Sequence, residues 1–562
     1  MRDGFDAIVV GSGFGGAVMA CRLAERGRRV LVLERGRQWH PEEYPRAPGD
    51  AWIWDSKRPE RDNGWIDLRW FRGMGVAQGA GVGGGSLIFA NVVVDANPGT
   101  FAQGWPREIT AEALAPYYER VARMLNVHAL PGNQTTARYR LLEEAARASG
   151  FGSRFRPLPL AVTFDPDWHY GLDDPFSGRH TKIWTNEHGQ MQGTCVHCGN
   201  CDIGCQVRAK NTLDLNYLAR AEQQGAEIRP LHLVTSLSRD AGGYRVHFAM
   251  IGDGRRESGS ETAPIVVLAA GSLGSTELLL RCRDEHGTLP DLSAHLGRDW
   301  SSNADFLTPA SYRDRAISPT RGPTITCAVD FLDGAEGEQF FIEDGGFPDM
   351  LHNIADPVGA RGRRTTLMMA VPRAADRATA MHRAVRQTMA LARAGRQWNF
   401  PWRSAMRSLA RFGGRDDPLR GTMPWFAQGI DASDGVLYLA KRSGGRRELA
   451  MRWDIRRSRG VIDAIIEMHR RLSRVTGGRV RVPPSWSLMK QLVTPHPLGG
   501  CNMGTTRANG VVNHRGEVFG YPGLYVADGA IVPRAIGLNP SKTIAALAER
   551  IADLVVEPAE RR

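Results

Sequence analysis

His496 stands between Pro495 and Pro497, with Gly499 and Gly500 just beyond. The prolines fix the backbone on either side, and the glycines let the chain pass close to a flat ring. Histidine takes up a proton near neutral pH without special tuning, so a fixed histidine could act as a base. Asn539 precedes Pro540, and the run from Pro540 to Arg550 is helical in composition. The pattern predicts Asn539 as a helix N-cap and Pro540 as the first helical residue. Asp528 follows the apolar strand candidate Leu524-Tyr525-Val526-Ala527. Glu343 follows Phe340-Phe341-Ile342. That flank predicts a carboxylate at the edge of a dry pocket, where burial raises the pKa; the plainer reading is an acid that ends a strand. Asn303 and Asp305, in the stretch 300–305, give a weaker signal of the same kind.

Cys195, Cys198, Cys201 and Cys205 have the spacing C-x2-C-x2-C-x3-C of a bacterial ferredoxin cluster motif. Thiolates this close, at glycine-punctuated turns, can converge on one centre. Gln206 stands where such motifs usually have proline, and no second cysteine set is present. In two-cluster ferredoxins the fourth cysteine serves the other cluster. An iron–sulfur cluster, structural zinc, and free thiols or disulfides are all open readings. His197 inside the motif is either a further ligand or a hydrogen-bonding side chain.

The elements that must position these groups begin at the other end of the chain. Phe5 to Val10 reads as a short apolar strand, followed by Gly11-Ser12-Gly13-Phe14-Gly15-Gly16, a helical run, and a second strand closed by Glu34. Gly11, Gly13 and Gly16 permit a tight turn, close approach to a pyrophosphate and close helix–strand packing. The pyrophosphate would sit at the helix N-terminus, and Glu34 has the spacing of an acid that bonds ribose hydroxyls. The fingerprint alone does not separate FAD from NAD. A second run, 81–91, contains Gly83, Gly84, Ser86 and Asn91. It is too rich in glycine for a regular element and reads as backbone laid flat against a planar ligand. Residues 265–280 repeat the order strand, glycine turn, helix.

Taken together, the GSGFGG start, the GVGGGS loop, the AAGSLGSTELLL segment and the HPLGGC and GLNP forms at the end resemble the glucose–methanol–choline (GMC) flavin oxidoreductases. The motifs occur in the family's order and span residues 5 to about 550. The last two look most like the bacterial cholesterol oxidase branch. The resemblance implies FAD as cofactor and oxidation of a bulky apolar secondary alcohol, sterol-like or long-chain, to a ketone by hydride transfer to flavin N5. It implies His496 as base, Asn539 facing the substrate oxygen, and Pro540 opening a helix toward the flavin's pyrimidine end. It implies Asp528 on the ribityl–phosphate region, and Glu343 in the place of a glutamate that shifts a double bond after oxidation. Residues 208–218 resemble the segment beneath the flavin. The cysteine motif is not expected in that branch, which leaves the acceptor as dioxygen or, through a cluster, something else. Two rival readings are a hydroxynitrile-lyase-like flavoprotein without net redox change and a non-catalytic electron carrier.

The fold class implied is α/β: a discontinuous Rossmann-like FAD-binding domain (1–110, 190–310 and 485–562) plus an α+β substrate domain with a large antiparallel sheet (111–189 and 311–484). The chain has 562 residues and a net charge of +12. Ten arginines and one acid fall within 373–415, where Met381, Val385, Met389 and Ala392 share one helical face. This segment is either a solvated surface helix or a basic amphipathic element for peripheral membrane contact. Charge without a recognised motif does not predict nucleic-acid binding. With no apolar run long enough to span a bilayer and no leader pattern before Phe5, the expected location is cytoplasmic.

Overall fold

The computed structural model describes residues 4–47, 49–348, 419–442, 445 and 447–555. The basic segment 373–415 lies outside them.

Five short strands, four of them apolar runs, come from both ends and the middle of the chain to build one parallel sheet. Its order is Glu227–Arg229, Val30–Leu33, Ala7–Val10, Ile265–Leu268, Leu524–Val526. The middle strands are buried along their whole length, which requires apolar side chains on both faces. The helix Phe14–Glu25 covers one face and packs against Ser541–Leu554. Glu549, fully buried, ties four helices at that junction. It accepts bonds from Arg22, from Arg120 Nη1 at 3.0 Å and from Tyr217 Oη at 2.7 Å. A buried carboxylate is stable only when its oxygens are satisfied in this way.

The second layer is a six-stranded antiparallel sheet in the order Arg479–Val480, Phe306–Ser311, Thr422–Gly429, Phe340–Glu343, Cys327–Asp330, Phe155–Pro157. The helix Arg459–Val475 lays Ile462, Ile465, Ile466 and Leu472 against it. Arg138 is fully buried and donates to the carbonyls of Pro323 at 2.7 Å and Thr324 at 2.9 Å, which pins the segment leading into this sheet.

A smaller sheet joins the layers. In it the strand Leu492–Thr494 runs parallel to Met74–Gly79, with Thr494 opposite Val76. The pair therefore delivers Pro495-His496 and the second glycine run to the same place. Among the described residues no helix is long and apolar enough to cross a membrane.

Candidate active site

A cavity of about 770 Å³ lies at the carboxyl ends of the parallel strands, where open α/β sheets bind ligands. Gly11, Gly13, Glu34, Gly84, Asp528, His496, Asn539 and Pro540 all line it, so residues from both ends of the chain share one space. Gly16, Gly83, Ser86, Asn91 and Glu343 do not.

The geometry explains the division. A Cβ on Gly16 would lie 2.0 Å from Gly11 O, so this glycine serves close packing inside the turn. Gly83 has φ +103, and Ser86 Oγ donates to its carbonyl at 2.7 Å, which shapes the second loop from behind. A Cβ on Gly84 would lie 2.6 Å from Gly13 Cα: the two glycine runs touch backbone to backbone. Gly15 was not singled out by the sequence pattern, yet a Cβ there would strike Ala527 O at 1.5 Å. Asn91 is buried at φ +71, and neither polar atom of its amide has a partner among the described residues.

Glu34 accepts from Ser12 N at 3.0 Å, Ser12 Oγ at 2.7 Å and Gly36 N at 2.9 Å. A carboxylate offers about four lone-pair sites, so one is left for a ligand hydroxyl. Asp528 accepts from Gly271 N at 2.8 Å, Ser275 Oγ at 2.5 Å and Ala530 N at 2.8 Å, and burial pushes its pKa up to about 6. The helix Phe14–Glu25 starts from Gly13 without a side-chain cap among the described residues. Its first N–H groups are thus suited to an anion at the cavity. The touching glycines, the uncapped helix start, the open site on Glu34 and the orphaned Asn91 amide fit a dinucleotide with a planar ring system. Gly11, Gly13 and Glu34 would hold its phosphate and ribose end, and Gly84, Asp528 and Pro540 the remainder.

The helix at the other end starts one residue later than its composition predicts. It runs Ser541–Leu554, with Pro540 at the N-cap, and Ile544 N donates to Pro540 O at 2.9 Å. Asn539 does not cap it. Its side chain lies beside Glu343 instead, and Asn539 Oδ1 and Glu343 Oε1 are both buried without a partner among the described residues.

Glu343 is not at the pocket edge that its apolar flank predicts. It is fully buried, on the sheet face that bears the cavity-lining Phe426, and Gln428 Nε2 donates to it at 2.8 Å from the neighbouring strand. Burial, with Asp344 and Asp305 nearby, pushes its pKa up to about 8. Phe426, its partner in register and therefore on the same face of the sheet, lines the cavity beside it. His496 lies beside that wall, its ring centre 6.3 Å from that of Phe426. Its Nδ1 is 2.8 Å from Asp305 Oδ1. The sequence marked Asp305 only weakly, because nothing local to 300–305 shows that a histidine 191 residues away will meet it.

The cysteine motif forms a loop tied to Arg46, which donates to Ile203 O at 2.5 Å, and to Gly322, whose N donates to His197 O at 2.9 Å. Among the described residues no group of three or more His, Cys, Asp or Glu side chains is arranged to hold a metal ion. The ligand set Cys195, Cys198, Cys201 and Cys205 expected from the spacing is thus not gathered around a single-ion site. Burial pushes the Cys195, Cys198 and Cys205 thiols up, Cys198 to about 12. Backbone N–H groups of His197 and Ala209 donate to Cys195 Sγ at 3.4 Å and Cys205 Sγ at 3.2 Å. His197 is no ligand. It is stacked on Trp168 at 4.0 Å and bonded to Gln134 Oε1 at 3.0 Å, and burial pushes its pKa down to about 3. Asp202, inside the motif, lines the cavity.

Comparison with known proteins agrees with this architecture. The GMC oxidoreductase model matches residues 433–548, and an NAD(P)-binding Rossmann-like domain model matches 9–39. A cholesterol oxidase of Mycobacterium tuberculosis (strain H37Rv) is 31% identical, covering 99% of this chain and 91% of its own. A cholesterol oxidase of Acinetobacter baumannii is 26% identical over 97% and 93%. Pyridoxine 4-oxidase from Mesorbium loti has the same fold, with a TM-score of 0.59 over 98% of each chain at 16% identity. Fold, site and relatives together define an FAD-dependent alcohol oxidase or dehydrogenase. The chain belongs to the GMC oxidoreductase family, in its cholesterol-oxidase-like branch.

Proposed function

We propose that this protein oxidises a bulky, apolar secondary alcohol, sterol-like or long-chain, to the ketone. The observation that carries this reading is the placement of His496 and Asn539 in one cavity with the dinucleotide-binding glycines. The walls beside them include Leu307, Ile325 and Phe426, which suit an apolar skeleton and keep water from the hydroxyl. His496 accepts the hydroxyl proton, and Asn539 orients the oxygen. When bound, FAD supplies the hydride acceptor. We expect His496→Ala to keep its flavin absorbance and lose about 10²- to 10⁴-fold in kcat on a sterol or long-chain secondary alcohol. A His496→Ala protein with bound flavin and full turnover would sink the proposal.

A second reading concerns where the electrons leave. Asp202 brings the cysteine loop to the cavity wall. An iron–sulfur cluster on Cys195, Cys198, Cys201 and Cys205 would there feed a non-oxygen acceptor, in place of direct reoxidation by dioxygen. Protein purified without oxygen and assayed for iron and acid-labile sulfide separates the two. Several iron atoms per chain favour the cluster, and flavin alone favours dioxygen.

A further inference from the structure

Asn303 and Ala304 both have left-handed backbone, φ +57 and +48, in adjacent positions. Neither is glycine, and such pairs persist only where the surroundings over-determine them. Here Asp431 does so: it accepts from Ser301 Oγ at 2.8 Å, Ser302 N at 2.9 Å and Ser302 Oγ at 3.0 Å. The strained turn sends two side chains to two destinations. Asn303 Oδ1 accepts from Ile536 N at 3.1 Å and Gly537 N at 2.8 Å, while its Nδ2 donates to Leu538 O at 2.9 Å. One amide thus fixes the three residues that precede Asn539. Two residues on, Asp305 reaches His496.

Asp305 is buried, and both of its oxygens are committed to the histidine's setting. Oδ1 lies 2.8 Å from His496 Nδ1, and Oδ2 accepts from Thr494 Oγ1 at 2.5 Å. Thr494 Oγ1 in turn accepts from His496 N at 2.8 Å. A carboxylate at Nδ1 requires that nitrogen to carry the hydrogen, which leaves Nε2 as the ring's lone-pair acceptor. The other acid near this pair is Glu343, on the strand Phe340–Glu343. Burial pushes Glu343 up to about 8 and also raises the Asp305 carboxyl, which the His496 ring and Thr494 hydroxyl bonded to it hold down.

We propose that the 301–305 turn is a single clamp for the two active side chains: Asp305 is a positioning residue that fixes His496 with Nε2 free to accept the substrate proton, and Asn303 fixes the strap that presents Asn539. The proposal rests on His496 being the proton acceptor. A carboxylate that holds the tautomer acts on the rate more than on affinity. Asp305→Asn is therefore expected to retain flavin, to lose about a hundredfold or more in kcat, and to change KM by less than about threefold. Added to His496→Ala, the Asp305 change costs little more, as expected of residues that act as a unit.

Four outcomes decide the matter. A fully active His496→Ala overturns the proton-acceptor reading itself. An inactive His496→Ala beside an Asp305→Asn protein with wild-type kcat overturns the clamp alone. If Asp305→Asn does not yield folded protein, Thr494→Val, which removes one tether and keeps the shape, carries the test. A loss of about tenfold in kcat at unchanged KM supports the clamp, and wild-type kcat overturns it.

Discussion

Glu343 is held as a neutral acid by its surroundings. From about pH 4.5 to about 8 the folded protein keeps this proton while the unfolded chain has lost it. The unfolded state then binds fewer protons, so stability falls as pH rises through that window. The shift corresponds to about 3–5 kcal/mol at full extent. Glu343→Gln has no proton to hold, and we expect its stability to fall less between pH 5 and pH 8 than that of the parent, by a few kcal/mol. Urea titrations at the two pH values measure this, and equal losses in both proteins would refute it. Residues were legible in the sequence where their chemistry is local. His496 between prolines, Glu34 after its strand and Asp528 after its strand could each be named from neighbours alone. Asp305 and Gln428 could not, since their meaning comes from partners far along the chain.

At the scale of elements, the two glycine runs form a backbone contact that sequence showed only as two separate loops. Gly84 has φ +51 and no room for a Cβ against Gly13. Gly84→Ala must either strain its own backbone or push the runs apart, and both act on the cavity wall. We expect FAD affinity to fall at least tenfold, about 1.4 kcal/mol or more, with the overall fold retained. Flavin content per folded protein, followed on dialysis, tests it. The helix Ser541–Leu554 begins one residue after its composition suggests, with the strap of residues 536–538 before it held by the Asn303 amide. A cap is a local preference of modest strength, and such fixed tertiary bonds outweigh it.

For the whole molecule, the order of motifs was enough to read the architecture, because four of the five strands of the parallel sheet are short apolar runs followed closely by glycine. The six-stranded sheet was expected as a class but not as a register, which depends on pairings between segments more than a hundred residues apart. The neighbourhood of the cysteine loop was likewise hidden, since spacing gives no sense of what lies alongside.

The tie between Phe14–Glu25 and Ser541–Leu554 bears on how the protein is made. Synthesis runs from the N-terminus, so the glycine fingerprint leaves the ribosome first. It then waits through nearly the entire chain for Leu524–Val526 to complete its sheet and for Glu549 to reach Arg22. During that interval the apolar faces of its first strands lack their final cover. The flavin pocket can close only after residue 549 has emerged, which makes cofactor capture a late step and the nascent glycine-fingerprint segment a natural client for chaperones.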